Sequence, residues 1–338
     1  MTVSWQAVAT DPAPAVSVCM SAYNTEAYVG RAIESVLEQT ISDVELVVLD
    51  NASTDGTWET ISSYAEPRLQ PHRVDENLGA SGGRAFAIER AKGRWVAVLD
   101  SDDWMDPARL ERLVNLGDET GADIVADDVH LIDDGSTEPW STLFSVGAGG
   151  LEQVRRIDAA AFVESDRWTR PGLRLGLTKP LFRGTFLDAH PDIRPDPDLT
   201  IVHDFWWVLD ALIAGADLCL TPEPGYYYRA RAGQLVASDL EEATLDQQIE
   251  MADRTLEMPQ VRADAALTAA LRKSRQVWYD ARSFVALRRA LRDRRFREAA
   301  HVCRAHPPAM KTALASAPGW LRRKLSRDDF ASHMTRRF

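Results

Sequence analysis

The segment Gly93-Arg94-Trp95-Val96-Ala97-Val98-Leu99-Asp100-Ser101-Asp102-Asp103 runs apolar for five residues and then stops at four polar ones, three of them acidic. Five continuous apolar residues are too few for a helix and suit a strand covered on both faces, as in a parallel sheet. Two upstream segments repeat the pattern. Val16 to Met20 is halted at Ser21-Ala22-Tyr23-Asn24, and Val44 to Leu49 at Asp50-Asn51-Ala52-Ser53-Thr54-Asp55-Gly56-Thr57. Between them Val29, Ile33, Val36 and Leu37 recur at helical spacing within Glu26 to Gln39. Asn24 or Thr25 is placed to cap that helix, with Glu26 and Glu34 on its outer side. Further helices are expected through Tyr64, from Ser81 to Ala91, and after Pro107, a residue tolerated in a first turn. Pro71 to Val74 and Asp123 to Ala126 read as short strands. This alternation defines an α/β region with a mostly parallel sheet. Such sheets bind ligands at the carboxyl ends of their strands, where the loops at Asn24, Asp50 and Asp100 all fall.

The 338 residues are 45% apolar and 27% charged, as in a soluble globular chain of roughly two domains. No stretch approaches the ~18 uninterrupted apolar residues of a membrane span. Met1 to Ala15 has no basic cluster followed by an apolar run, so no secretory signal is expected. Cys19, Cys219 and Cys303 are too few and too scattered for a disulfide framework or a zinc site. A cytoplasmic location is therefore expected. The net charge of −12 is unevenly spread: Leu271 to Phe338 hold 18 Lys and Arg against 5 Asp and Glu. The preceding 270 residues hold 21 basic and 46 acidic groups, which argues against nucleic acid as a partner of the body. The basic end is suited to an anionic surface.

Several constellations carry chemistry. Asp100-x-Asp102 at a strand end offers two carboxylates to Mg²⁺ or Mn²⁺, hard cations that usually share oxygen ligands with substrate phosphates; read locally, it is equally an acidic turn. Asp50-Asn51 can hydrogen-bond a base or ribose, or merely end the strand in an Asx-turn. Asn77-Leu78-Gly79-Ala80-Ser81-Gly82-Gly83-Arg84 brings free backbone N–H groups and an arginine to a helix start, which suits a diphosphate. His203-Asp204 opens the apolar helical stretch Phe205-Trp206-Trp207-Val208-Leu209, and Asp204 there is either a capping acid or a functional carboxylate. Trp206 and Trp207 are sugar-stacking candidates or core. There is no Gly-x-Ser-x-Gly elbow and no His-x-x-x-His pair, so hydrolase and histidine-metal chemistry lack support.

The ordered blocks Ala22-Tyr23-Asn24, Leu49 to Thr57, Asn77-Leu78-Gly79 and Gly93 to Asp103 resemble the family 2 glycosyltransferases over residues ~15 to 115. Leu177-Thr178-Lys179-Pro180-Leu181-Phe182-Arg183, His203-Asp204 and Gly225-Tyr226-Tyr227-Tyr228-Arg229 are similar to bacterial exopolysaccharide members, including succinoglycan-type enzymes. The resemblance implies a GT-A fold, an α/β architecture with a mostly parallel central sheet flanked by helices, plus a helical C-terminal extension. It implies inverting transfer from a nucleotide-diphosphate sugar, a UDP-sugar being the expected donor, with Mn²⁺ or Mg²⁺ as cofactor. Residues 1–125 would form the nucleotide-sugar half, 126–238 the acceptor half, and 239–338 the helical, basic region.

Carried over residue by residue, Ala22, Tyr23, Asn24, Glu26, Asn51 and Ser101 would belong to the nucleotide-sugar site. Asp50 would meet the base, Arg84 the base or diphosphate, and Asp100 the ribose. Asp102 would hold the metal and Asp204 would be the catalytic base. Lys179, Arg183, His203, Trp206 and Trp207 are candidates for the acceptor or leaving group. The family often has an acid after the first Asp and a Glu before the base; Asn51 and His203 stand there instead. One base suffices for direct displacement, whereas a glycosidase needs two carboxylates flanking the bond.

The expected acceptor is a hydroxyl of a glycan or lipid-linked molecule. Two alternatives stay open: tailoring of a small secondary metabolite or antibiotic, and nucleotide-sugar binding without transfer. Arg288, Arg289, Arg292, Arg294, Arg295 and Arg297, with Trp320, Arg322, Arg323 and Lys324, are suited to peripheral contact with an anionic membrane. A solvated helical face or a contact with the acidic body explains them equally well.

Overall fold

The computed structural model describes residues 13–148, 150–166, 173–199, 202–231 and 242–306. The first half alternates β1 (Val16–Ala22), α1 (Val29–Leu37), β2 (Val44–Asn51), α2 (Thr57–Ser62), β3 (Leu69–Val74), α3 (Gly79–Ile88) and β4 (Trp95–Val98). The short β5 (Trp104–Met105), α4 (Arg109–Thr120) and β6 (Ile124–Ala126) follow. All eight residues of β2 are buried, which is why its hydrophobic run is nearly continuous. β1 pairs in parallel with β2 and β4, and β2 with β3, as the alternation requires.

From there the sheet is mixed. The chain continues through β7 (Val129–Asp133), β8 (Ser141–Thr142), α5 (Leu143–Ala148), β9 (Arg155–Ile157) and α6 (Ala159–Ser165). Next come β10 (Leu181–Arg183), α7 (Gly184–Ala189), α8 (His203–Ile213), β11 (Leu218–Leu220) and β12 (Tyr226–Ala230). The large sheet has the order β3-β2-β1-β4-β10-β6-β11-β9, and β10 runs antiparallel to both β4 and β6. The expected mostly parallel sheet is therefore parallel from β3 to β4 and mixed beyond. A second sheet, β5-β12-β7-β8, was not legible in the sequence and lies beside the acidic loop after β4. The expected C-terminal helices are α9 (Glu242–Glu257), α10 (Pro259–Ala263), α11 (Ala265–Arg292) and α12 (Phe296–Ala305).

Packing explains how the site is held. Trp95 is fully buried, and a side chain at Gly117 of α4 would enter its ring, so glycine is what lets α4 close on β4. Arg183 lies over the Trp95 ring, 4.3 Å from its centroid, and donates to the carbonyls of Gly117 and Ala122. Arg109 and Asp127 form a wholly buried ion pair, and the same guanidinium donates to the Lys179 carbonyl. That bond anchors the backbone just before β10. Among the described residues no helix is long and apolar enough to cross a membrane.

Candidate active site

Three loops leave the carboxyl edge of the sheet and are bonded to one another. Asn24 adopts the left-handed conformation (φ 51°), which its short polar side chain tolerates. Its Oδ1 accepts from the Thr54 N–H at 2.8 Å, and its own N–H donates to Ser53 Oγ. The Thr25 N–H donates to Thr57 Oγ1 at 2.8 Å, while its hydroxyl donates to Ser101 Oγ at 3.1 Å. Glu26 caps the second loop, its Oε2 accepting from the Gly56 N–H at 2.6 Å. Glu26 and Ser101 thus act through loop geometry, whereas Tyr23, 47% exposed, presents its ring to solvent. Ala22, at the end of β1, is buried and in register with Asp50.

Asp50 is fully buried, and Arg73, its register partner on β3, lies 3.1 Å from Oδ2. That oxygen has no hydrogen-bond partner among the described residues. A buried carboxylate oxygen without a bond is costly and is suited to a donor supplied by a ligand. Asn51 differs from its expected role. Its amide donates to Asn77 Oδ1 and the Gly79 carbonyl and accepts from the Leu78 N–H, so it fixes the turn into α3. Its hydrogen bonds are committed to the fold.

The centre of the site is a four-residue ionic cluster. Lys179 Nζ lies 2.6 Å from Asp204 Oδ2 and 2.8 Å from Asp100 Oδ2. Arg84, from α3, pairs with the other oxygen of each carboxylate. Burial pushes the Asp100 carboxyl up, but the Lys179 and Arg84 charges outweigh it and hold it well below the usual carboxylate range. Burial, then the same two cations, hold His203 well below 6.5, so its imidazole is neutral. His203 Nε2 therefore accepts from Arg84 at 2.8 Å, and its buried Nδ1 has no hydrogen-bond partner among the described residues. Asp204 sits in the first turn of α8, where backbone N–H groups favour its charge.

Three sequence candidates do not reach this cluster. Trp206 is buried and donates its indole N–H to Gln248 on α9 at 2.6 Å. Trp207 stacks on Phe182 of β10 at 3.9 Å between centroids. Neither has an exposed face for a sugar. Arg183 is committed to Trp95 and the α4 carbonyls described above.

Residues to which the sequence assigns no role hold the acidic loop from the second sheet. Tyr226 accepts from the Asp100 N–H and donates to Asp103 Oδ2 at 2.8 Å. Burial, then the charges of Asp102 and Asp100, push Asp103 well above the usual carboxylate range. Arg229 donates from its backbone to Asp103 and from Nε to the Asp102 carbonyl. Arg231 Nε lies 2.7 Å from Asp102 Oδ2. Arg229 and Arg231 are two residues apart in an extended run and share a face, a signal that strand alternation would have exposed.

The fit to a divalent cation follows from this donor set. Among the described residues no group of three or more His, Cys, Asp or Glu side chains is close enough to hold a metal alone. One carboxylate, Asp102, fits the shared mode in which phosphates and water complete the shell, once Arg231 leaves Oδ2.

The sheet, with its site at the carboxyl edge and an acidic loop after β4, defines a GT-A fold. The structure of S. aureus TarS in complex with UDP-GlcNAc shares that fold at a TM-score of 0.60 and 21% identity, over 76% of this chain and 71% of that one. Residues 17–174 match the Glycosyl transferase family 2 profile, and the chain carries a domain of that family. It is 35% identical to the succinoglycan biosynthesis protein ExoO of Rhizobium meliloti (strain 1021), over 67% of this chain and 64% of ExoO. It is 33% identical to the putative glycosyltransferase EpsH of Bacillus subtilis (strain 168), over 66% of this chain and 63% of EpsH. The chain thus spans just under two thirds of the length of these curated relatives.

Proposed function

We propose that this chain is an inverting glycosyltransferase that moves a sugar from a UDP-sugar to a hydroxyl of a glycan or lipid-linked acceptor. The observation that carries this reading is the meeting of Asp100 and Asp204, 104 positions apart in sequence, on Lys179 and Arg84 at the carboxyl edge of the sheet. The relatives' roles in polysaccharide biosynthesis and the UDP-GlcNAc bound by TarS support the donor and acceptor classes.

In this reading the nucleoside lies along Ala22, Tyr23 and Asn24, with the Asp50 Oδ2 facing the imide N–H of uracil. Asp100 faces the ribose, and Arg84 and Arg231 meet the diphosphate. Asp102 would hold Mn²⁺ or Mg²⁺, which would supply Lewis-acid neutralisation of the leaving diphosphate. Asp204 takes the proton of the acceptor hydroxyl as its oxygen bonds to the anomeric carbon, while the bond to the diphosphate oxygen breaks and UDP departs. Lys179 and Arg84 keep Asp204 ionised and aimed; the acceptor hydroxyl replaces one of their contacts. His203, neutral, orients Arg84.

Thermal denaturation with UDP, GDP, CDP and dTDP, each with and without Mn²⁺, tests the donor site. A ligand at a hundredfold its dissociation constant adds ~2.7 kcal/mol. A metal-assisted shift with UDP above the others is expected, and no shift with any nucleotide would overturn the reading. Asp204→Asn separates transfer from mere binding: UDP binding is retained and turnover lost. Unchanged turnover would remove Asp204 as the base.

A further inference from the structure

The basic end of the chain has a defined tip. α11 spans 28 residues, about 42 Å, and packs in stages. Its first turns, through Leu267, Ala270 and Leu271, join the main core. Trp278 then packs against Leu245 and Ile249 of α9, and Leu287 and Ala290 against Ala299 of α12. The three clusters follow one another along the helix, and the turn between α11 and α12 comes after the last of them.

That turn is exposed from Leu291 to Arg297 without a break. Phe296 is 67% exposed and Leu291 40%, two of the few large apolar side chains on the surface. Around them stand Arg288, Arg289, Arg292, Arg294, Arg295 and Arg297, with Asp293 and Glu298 beside them and Glu242 of α9 paired to Arg289 at 3.1 Å. Arg292 and Arg295 pair with Asp293, and Arg289 and Arg295 with Glu298. Arg288, Arg294 and Arg297 have no ion-pair partner among the described residues. Arg288 and Leu291, three apart, share one face of α11.

We propose that this α11–α12 tip is a docking surface for an anionic lipid bilayer, with Phe296 and Leu291 entering the headgroup boundary and the three unpaired arginines holding the lipid charge. Aromatic and aliphatic side chains among arginines are the chemistry of an interfacial anchor. Charge decides between occupants. Residues 307–338 carry seven Lys and Arg against two Asp, so the chain's own end is repelled by the tip and adds to its attraction for anionic lipid. The first 270 residues, 25 charges negative, are repelled by that same surface, so contact is confined to the tip. The proposal stands apart from the catalytic reading and survives its failure.

The test is co-sedimentation of the full chain with phosphatidylcholine vesicles, with and without phosphatidylglycerol, over a salt series. Binding to the phosphatidylglycerol vesicles alone, lost as salt rises, is expected. The triple variant Arg288→Gln, Arg294→Gln, Arg297→Gln should bind about a hundredfold more weakly. Phe296→Ser should bind several-fold more weakly with the melting temperature unchanged, since its side chain supports no core contact. No binding at low salt would overturn the proposal. So would full binding by both variants, which places the contact elsewhere, or a dimer that the triple variant abolishes, which gives the tip to the acidic body of a second copy.

Discussion

Lys179 Nζ bridges Asp100 and Asp204, at 2.8 and 2.6 Å, from a backbone that Arg109 holds by its carbonyl. One ammonium thereby ties the carboxylate assigned to the donor to the one assigned to the acceptor. Lys179→Met leaves both carboxylates to Arg84 alone, with their mutual repulsion uncovered. A cost of about 2 kcal/mol is expected, below the 3–5 of a fully buried pair because both carboxylates are partly exposed. Lys179→Arg should recover most of the melting temperature. Turnover in Lys179→Met should fall at least about a hundredfold, while UDP binding weakens much less. A variant that melts like the parent and turns over normally would show that Arg84 alone carries the cluster.

Asp50 yields a second prediction, on base identity. Its Oδ2 is buried and, among the described residues, has no hydrogen bond and is neutralised by Arg73 alone, whose side chain is 42% exposed. Arg73→Ala leaves that charge buried and should lower stability by about 1–2 kcal/mol. UDP carries an imide N–H that satisfies the oxygen, whereas the cytosine of CDP presents an acceptor at that position. The melting shift produced by UDP should therefore be larger in Arg73→Ala than in the parent, and the shift by CDP should not. Equal gains with both nucleotides would take Asp50 out of the base site.

The N-terminal half was legible because its strands are buried on both faces. β1, β2 and β4 read as apolar runs, and the loops that end them were placed correctly at one edge of the sheet. β10 was not legible. Leu181-Phe182-Arg183 is three residues long, and only its antiparallel fit between β4 and β6 makes it a strand. Trp206 and Trp207 were ambiguous for a different reason. An aromatic pair on a helix looks alike as core or as sugar platform, and the choice rests on Gln248 and Phe182, neither of them adjacent in sequence. Asn51 likewise needed the turn at Asn77 to show what its amide does. Trp320, Arg322, Arg323 and Lys324 lie outside the described residues.

Arg231 carries the prediction about the metal. Its Nε occupies Asp102 Oδ2 at 2.7 Å, so a cation and the guanidinium compete for one carboxylate oxygen. A diphosphate offers the guanidinium a stronger, bidentate partner. Mn²⁺ should therefore bind the parent weakly alone and tightly with UDP. In Arg231→Gln, Mn²⁺ binding without nucleotide should strengthen, and UDP binding without metal should weaken about tenfold. Titration calorimetry or the paramagnetic signal of free Mn²⁺ reads both. Mn²⁺ binding to the parent that ignores UDP would refute the competition.

The last prediction concerns stability against pH. Burial pushes the Asp210 carboxyl of α8 up to about 6 from 3.8, against the pull of Arg254. The folded chain thus keeps a proton that the unfolded chain has already released. The stability this group contributes is complete below 3.8 and is lost as pH rises through 6. Asp166, also pushed up to about 6 by burial, acts in the same direction. His203 acts in the opposite one: held neutral well below 6.5, it costs stability as pH falls below that value. Asp210→Asn removes one contribution and leaves the other two. Relative to the parent, the variant should gain steadily from about pH 4 to pH 7, reaching about 2 kcal/mol after allowance for partial exposure, or several degrees of melting temperature. Melting both proteins across that range gives the difference directly, and a constant offset between them would place the titration on another group.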